Sequence, residues 1–358
     1  MSLFHLIHLP QCNHGSETNQ QIMNNEELIF RAFLSIVSIY ILTNSRMLET
    51  SSWKCFYKKF SKTKVFLGNI DIKRRVPMAE KHQAEASACS ANAQKMAQNL
   101  QDQTIENTLN KIKNKLLVMS GKGGVGKSSM AANIAVGLSN RNFKVGLMDV
   151  DLHGPSIHGM MGIDGLLEIT TEKLVIPKAF NDNLKVVSMQ SLMHEADQAV
   201  IWRGPLKNGV IRQFIADMQW GELDYLIIDS PPGTGDEPLS VAQTIPDARA
   251  VVVTTPQEVA LADVRKSINF CKKLNMDIVG VVENMGPFQC PHCGKEIALF
   301  KKGGGQATAE KAQISFLGTL PFDPQVVHAC DDGKPIMSQS LDNEYTRAMN
   351  AVIDNILK

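Results

Sequence analysis

The chain has 358 residues, a formal net charge of +1 and 44% hydrophobic residues. That length suits about two domains or one large doubly wound α/β domain, with enough apolar material for a sizeable core. The near-neutral balance excludes a general electrostatic case for binding nucleic acid or a membrane surface. The seven cysteines, odd in number and mostly scattered, fit thiols in a reducing cytosol better than a disulfide framework.

Residues 1–77 differ in composition from the rest of the chain. Leu28 to Leu42 is apolar but interrupted by Arg31, and too short for a comfortable membrane span. Glu26 and Glu27 stand before it, where a signal peptide would carry basic residues. A lysine-rich stretch runs from Lys54 to Arg75. The expectation is that Met78 is the true start and that 1–77 is an atypical extension. Residues 78–110, polar and rich in Ala, Gln and Asn, read as a flexible arm with some helix. Residues 111–358 read as the folded domain.

Leu116 to Met119 is an apolar run fit for a buried strand, and Ser129 to Val136 opens a helical pattern. Between them lies Gly121-Lys122-Gly123-Gly124-Val125-Gly126-Lys127-Ser128-Ser129, the phosphate-loop pattern G-x-x-x-x-G-K-S in its proper strand-to-helix context. The glycines let the backbone approach phosphate oxygens, and the loop delivers them to the positive end of the next helix. Lys127 is placed to reach the outer phosphates, and the Ser128 hydroxyl to ligate Mg2+.

Further strands are predicted at Val145–Asp149, Tyr225–Asp229, Ala250–Thr255, Ile278–Val282 and Ser315–Gly318. Helices are predicted over Val259–Leu274 and Asn343–Leu357. Near-continuous apolar strands alternating with helices predict a doubly wound, mostly parallel sheet covered on both faces, a three-layer α/β/α fold. Ligands bind such sheets at the strands' carboxyl ends, which is where Asp149, Asp151 and Asp229 fall. Asp229 runs into Ser230-Pro231-Pro232-Gly233-Thr234-Gly235-Asp236 and looks like a Walker B acid able to hold Mg2+ through water. Gly233 is free of a Cβ and could offer its N–H to a γ-phosphate.

Cys290-Pro291-His292-Cys293 places two thiols two residues apart, able to face one metal in a tight turn. Two thiolates do not fill a tetrahedral site. Two copies of the chain would supply four, which suits a 4Fe–4S cluster or a zinc. No helix-opening context surrounds the pair, which argues against a thioredoxin-like redox role. Cys271 and Cys330 read as packing residues, and Cys89 as a plain exposed thiol.

Lys122, directly after the first glycine, resembles the deviant phosphate loop of the Min, Par and nitrogenase iron-protein group. More specifically, residues 110–358 resemble the Mrp/ApbC (Nbp-type) family of iron–sulfur cluster carrier ATPases. The likeness rests on that loop, Asp151-Leu152-His153-Gly154-Pro155-Ser156, Trp202-Arg203-Gly204-Pro205, the 229–236 segment, Glu283-Asn284-Met285, the cysteine pair and Phe300 with Gly303-Gly304-Gly305. It implies a cytoplasmic homodimer that hydrolyses ATP slowly and hands a 4Fe–4S cluster to apo iron–sulfur proteins. It further implies that Lys122 crosses to the partner's nucleotide, that Asp151 positions water with Asp149 supporting it, that Asn284 reads adenine, and that Pro321 and Asp323 sit beside the base. Nothing in 78–110 could form the small N-terminal domain of many bacterial members. Eukaryotic cytosolic members carry an N-terminal four-cysteine cluster site; here only Cys89 lies in that region, which argues against a second stable cluster. A Min/Par-type positioning ATPase is the rival reading. The C-terminal residues 348–358 hold too few cations for a membrane-binding tail, and near-neutral charge supports no DNA face. A zinc-trafficking ATPase is the other alternative, because a cysteine pair suits both metals.

Overall fold

In the computed structural model, residues 96, 98–151, 154–163, 165, 167–170, 174–188, 191 and 204–358 are described. All lie in one unit of the chain, Glu85–Lys358. The expected extension over 1–77, Cys89, Leu152-His153 and Trp202-Arg203 fall outside the described residues.

A helix over residues 98–109 (α1) leads into β1 (Ile112–Ser120), which is followed by α2 (Lys127–Ser139) and β2 (Val145–Asp149). A short α3 (Ile157–Met160), β3 (Glu168–Ile169), β4 (Val175–Ile176), β5 (Lys178–Asn181) and β6 (Leu184–Ser188) come next. Then come α4 (Gly204–Asp217), β7 (Leu223–Asp229), α5 (Asp236–Thr244), β8 (Arg249–Thr254), α6 (Glu258–Lys273) and β9 (Ile278–Gly286). A small ribbon, β10 (Phe288–Gln289) and β11 (Glu296–Ile297), precedes α7 (Gly304–Ala312), β12 (Phe316–Pro321), α8 (Pro324–Asp331) and α9 (Glu344–Ile356).

Eight strands form one sheet in the order β12-β9-β8-β1-β7-β2-β6-β5. Every pairing is parallel except β5 with β6. The mostly parallel α/β sheet expected from the alternation of strands and helices is therefore present. Its strands are apolar throughout because both faces are covered. In β1, Leu117 and Met119 enter one core while Leu116 and Val118 enter the other. Helix α2 fills the second core through Met130, Ile134 and Leu138, all buried.

Two features depart from the sequence reading. Helix α1 is packed, not merely polar: Ile105 and Leu109 are buried in the first core, and Asp102 pairs with Arg212 of α4. The flexible arm expected over 78–110 thus ends in a docked helix. Strand β9 runs past Val282 to Gly286, carrying the buried polar residues Glu283 and Asn284. Glu283 is tolerated because its carboxylate accepts the N–H groups of Gly303 (3.2 Å) and Gly305 (2.6 Å) at the start of α7.

Candidate functional site

The carboxyl ends of β1, β2 and β7 lie side by side. Register pairs Val118 with Asp229 across β1 and β7, and Asp149 with Asp229 across β2 and β7. The phosphate loop leaves β1 here and closes at Gly126, the left-handed residue (φ 83) that starts α2. A side chain at Gly126 would be strained by that φ, and its Cβ would sit 2.3 Å from Asn284 Nδ2. Gly121 is equally tight: a Cβ there would lie 2.3 Å from the Asp263 backbone of α6. A cleft of about 240 Å³ is lined by Lys122, Gly123, Gly124, Gly126, Lys127, Ser128, Ser129 and Asp151, with Ser120, Met160 and Pro232. The predicted phosphate-side residues are therefore gathered in one place.

Lys127 and Asp229 form a buried ion pair, Nζ to Oδ1, at 2.5 Å. The Lys127 ammonium also reaches Ser128 Oγ at 3.2 Å. Asp229 Oδ2 is buried and has no hydrogen-bond partner among the described residues. Burial raises the Asp229 carboxyl above its ordinary range, against the opposing charge of Lys127. Asp149 is pushed up to about 7 by burial and by the Asp229 carboxylate. The Asp151 N–H (3.0 Å), the Ile157 N–H (3.3 Å) and the Ser188 hydroxyl (3.1 Å) all donate to it. Asp149 thus ties β2, β6 and the start of α3 together, and fixes the backbone that carries Asp151. Asp151 itself accepts the Gly154 N–H at 3.1 Å.

A second cleft, of about 210 Å³, shares Gly126, Ser129 and Met160 with the first. It is lined by Asn284, Pro321 and Asp323, the residues expected beside a base, together with Met285, Phe322, Val326, Val327, Cys330 and Tyr345. Asn284 Nδ2 donates to the Val125 carbonyl at 2.9 Å, so this side chain also braces the phosphate loop. The Asp323 carboxylate caps α8, accepting the Gln325 N–H at 2.9 Å. Gly233 (φ 91) donates its N–H to the Ser120 carbonyl at 2.8 Å. Contact of that N–H with a γ-phosphate would require this bond to be exchanged.

Cys330 departs from its reading as an isolated packing residue. Its sulfur lies 3.4 Å from Ser129 Oγ on the wall of the second cleft. No sequence signal linked two residues 201 positions apart. Cys271 is a packing residue as expected: it is fully buried against Met119, and burial raises its thiol to about 11.

Cys290 and Cys293 top the β10–β11 ribbon, where Phe288 pairs with Ile297 and Gln289 with Glu296. The Cys290 N–H donates to Lys295 O (2.9 Å), and the Gly294 N–H to Cys290 O (2.8 Å). Gly294 closes the turn at φ 69. The His292 N–H, then the Cys293 N–H and thiol, hydrogen-bond the Cys290 sulfur and hold its thiol below the ordinary value. Cys290 is half-buried and Cys293 exposed. Among the described residues, no three His, Cys, Asp or Glu side chains gather closely enough to hold a metal ion. The turn carries two free thiols, Cys290 and Cys293.

Known proteins resemble this chain over the same region. The family described as "NUBPL iron-transfer P-loop NTPase" (ParA) matches residues 111–357. An iron-sulfur cluster carrier protein of Methanocaldococcus jannaschii is 42% identical over 259 residues, covering 72% of this chain and 89% of its own length. A cytosolic Fe-S cluster assembly factor NUBP2 homolog of Trichoplax adhaerens is 45% identical over 255 residues, covering 68% and 94%. Among solved structures, a nucleotide-binding protein of Archaeoglobus fulgidus in complex with ADP superposes with a TM-score of 0.59 at 38% identity, covering 68% of this chain and 95% of that one. The MinD cell division ATPase of Pyrococcus furiosus shares the fold (TM-score 0.51, 23% identity, covering 68% and 98%). The chain belongs to the iron-transfer P-loop NTPase family.

Proposed function

We propose that this protein is an iron–sulfur cluster carrier that binds and slowly hydrolyses ATP, takes a 4Fe–4S cluster as cargo between two copies of the chain, and delivers it to apo-proteins. The observation that carries the reading is the coexistence, on one strand-and-turn framework, of a complete phosphate loop and a two-thiol turn whose Cys290 sulfur is cradled by backbone N–H groups. Four thiolates around a cubane need a second copy. The 42% identical relative is itself named a carrier, and the NUBP2 homolog is named cytosolic, which supports a cytoplasmic setting.

In this reading Lys127 binds the β- and γ-phosphates, exchanging Asp229 for phosphate oxygens. Lys122 reaches the partner's nucleotide, Asn284 faces the adenine, and Pro321 and Asp323 flank it. Asp151, held by the Asp149 bridge, orients the attacking water. The orphaned Oδ2 of Asp229 and the nearby Ser128 hydroxyl are hard oxygen donors suited to Mg2+, directly or through water. When bound, Mg2+ would offset charge on the phosphates.

The test is transfer. Protein loaded with a cluster without oxygen is mixed with a cluster-free 4Fe–4S enzyme, and regained activity is followed. Activation that depends on Cys290 and Cys293 supports the reading. Loading with zinc alone would favour the trafficking ATPase instead.

A further inference from the structure

The residue facing the base cleft and the residues of the thiol turn lie on one short segment, pinned at several points. Asn284 donates to the phosphate loop at Val125 O, and Met285, next to it, lines the base cleft. Met285 is one of four described non-glycine residues with positive φ, at 56°, a conformation that persists only where the surroundings enforce it. The Gly286 carbonyl accepts the Phe322 N–H at 3.0 Å, and a Cβ on Gly286 would lie 2.3 Å from Thr319 Cγ2. Phe288 then packs its ring against Phe322, centroids 5.8 Å apart and tilted 51°. Phe322 is itself a wall of the base cleft, and Cys290 stands two residues beyond Phe288.

We propose that Phe288 is a positioning residue whose contact with Phe322 couples filling of the base cleft to metal loading of Cys290 and Cys293. The proposal rests on the carrier reading above, in which the cleft takes ATP and the turn takes the cluster. A base entering the cleft sets the position of Phe322. Phe322 bears on Phe288, and Phe288 opens the ribbon that orients both sulfurs. The contacts at Asn284, Gly286 and Phe288 limit the slack in the connecting segment, so each ligand biases the geometry offered to the other. Such coupling is reciprocal by thermodynamic necessity.

The test is a linkage measurement on the full chain. Affinity for a non-hydrolysable ATP analogue with Mg2+ is titrated for cluster-free and cluster-loaded protein. The unaltered protein should show affinities differing by about fivefold or more between the two forms. Phe288→Ala should leave cluster-free affinity within about twofold and shrink the ratio to below about twofold, while Phe288→Tyr keeps it. A ratio of one in the unaltered protein, or an undiminished ratio in Phe288→Ala, overturns the proposal. Should Phe288→Ala fail to retain a cluster, Phe322→Leu serves instead: a shrunken ratio supports the coupling and an unchanged one overturns it. The carrier reading fails separately, if the Cys290→Ser, Cys293→Ser double variant still loads a cluster.

Discussion

The phosphate loop runs from β1, a strand buried on both faces, into α2, and its Lys127 already has a buried carboxylate partner at 2.5 Å. The cysteine turn sits instead on a ribbon of two residues a side, outside the main sheet, with one thiol exposed. The first region is preorganised by the core, which holds its backbone in place while Lys127 and Gly233 can exchange partners for a ligand. The second owes its shape to a few backbone hydrogen bonds and carries two thiols. A site built by the fold and a turn that the carrier reading completes with a second chain should therefore lose their ligands to different mutations, even if their affinities are linked.

The largest effect expected is at the turn. Cys290→Ala or Cys293→Ala should abolish the broad iron–sulfur absorption of reconstituted protein, while its ATP titration matches that of the cluster-free unaltered protein. A variant that keeps the absorption would break the contrast between the regions.

Next comes Asp151→Asn. Asparagine keeps the size and the oxygen acceptor for Gly154, so the fold should survive. Loss of the carboxylate should slow hydrolysis by about 100-fold or more with ATP affinity little altered. A parallel loss of affinity would place Asp151 in binding rather than in the chemical step.

Lys127→Ala should weaken ATP binding by about 10- to 100-fold, the size of a charge-assisted hydrogen bond or two. It also leaves Asp229 buried without its partner, so lowered thermal stability should accompany it. Normal cluster loading by the same variant would sharpen the separation of the two regions.

The smallest effect is a reactivity difference. Cys290, held below the ordinary thiol value by N–H donors, should alkylate readily, while Cys271, at about 11 and fully buried, stays unmodified until the protein unfolds. Peptide mapping after brief iodoacetamide treatment checks this, and equal labelling of both would contradict the assigned environments.

The same contrast decides how much was legible in the sequence. Strands β1, β2, β7 and β8 were readable because both faces are buried and their apolar runs are unbroken. Strand β6 was not, because Lys185 interrupts it; that side chain escapes burial of its charge by bonding Trp220 O at 2.8 Å. Glu283 and Asn284 read as the end of a strand, yet β9 continues through them, since their partners come from α7 and the phosphate loop. Helix α1 was masked by a polar composition in which only Ile105 and Leu109 mark the buried side. The phosphate loop and the cysteine pair were legible as local patterns. The wall of the second cleft was not, because Cys330, Tyr345 and Phe322 converge on Ser129 and Asn284 only through the fold.

The central claim is that one cluster is shared by two chains, and the most direct measurement is iron and sulfide content set against native mass. Protein reconstituted without oxygen should run as a dimer holding about four irons and four sulfides per two chains. A full cluster on a monomer, or a dimer holding about eight irons, would contradict it.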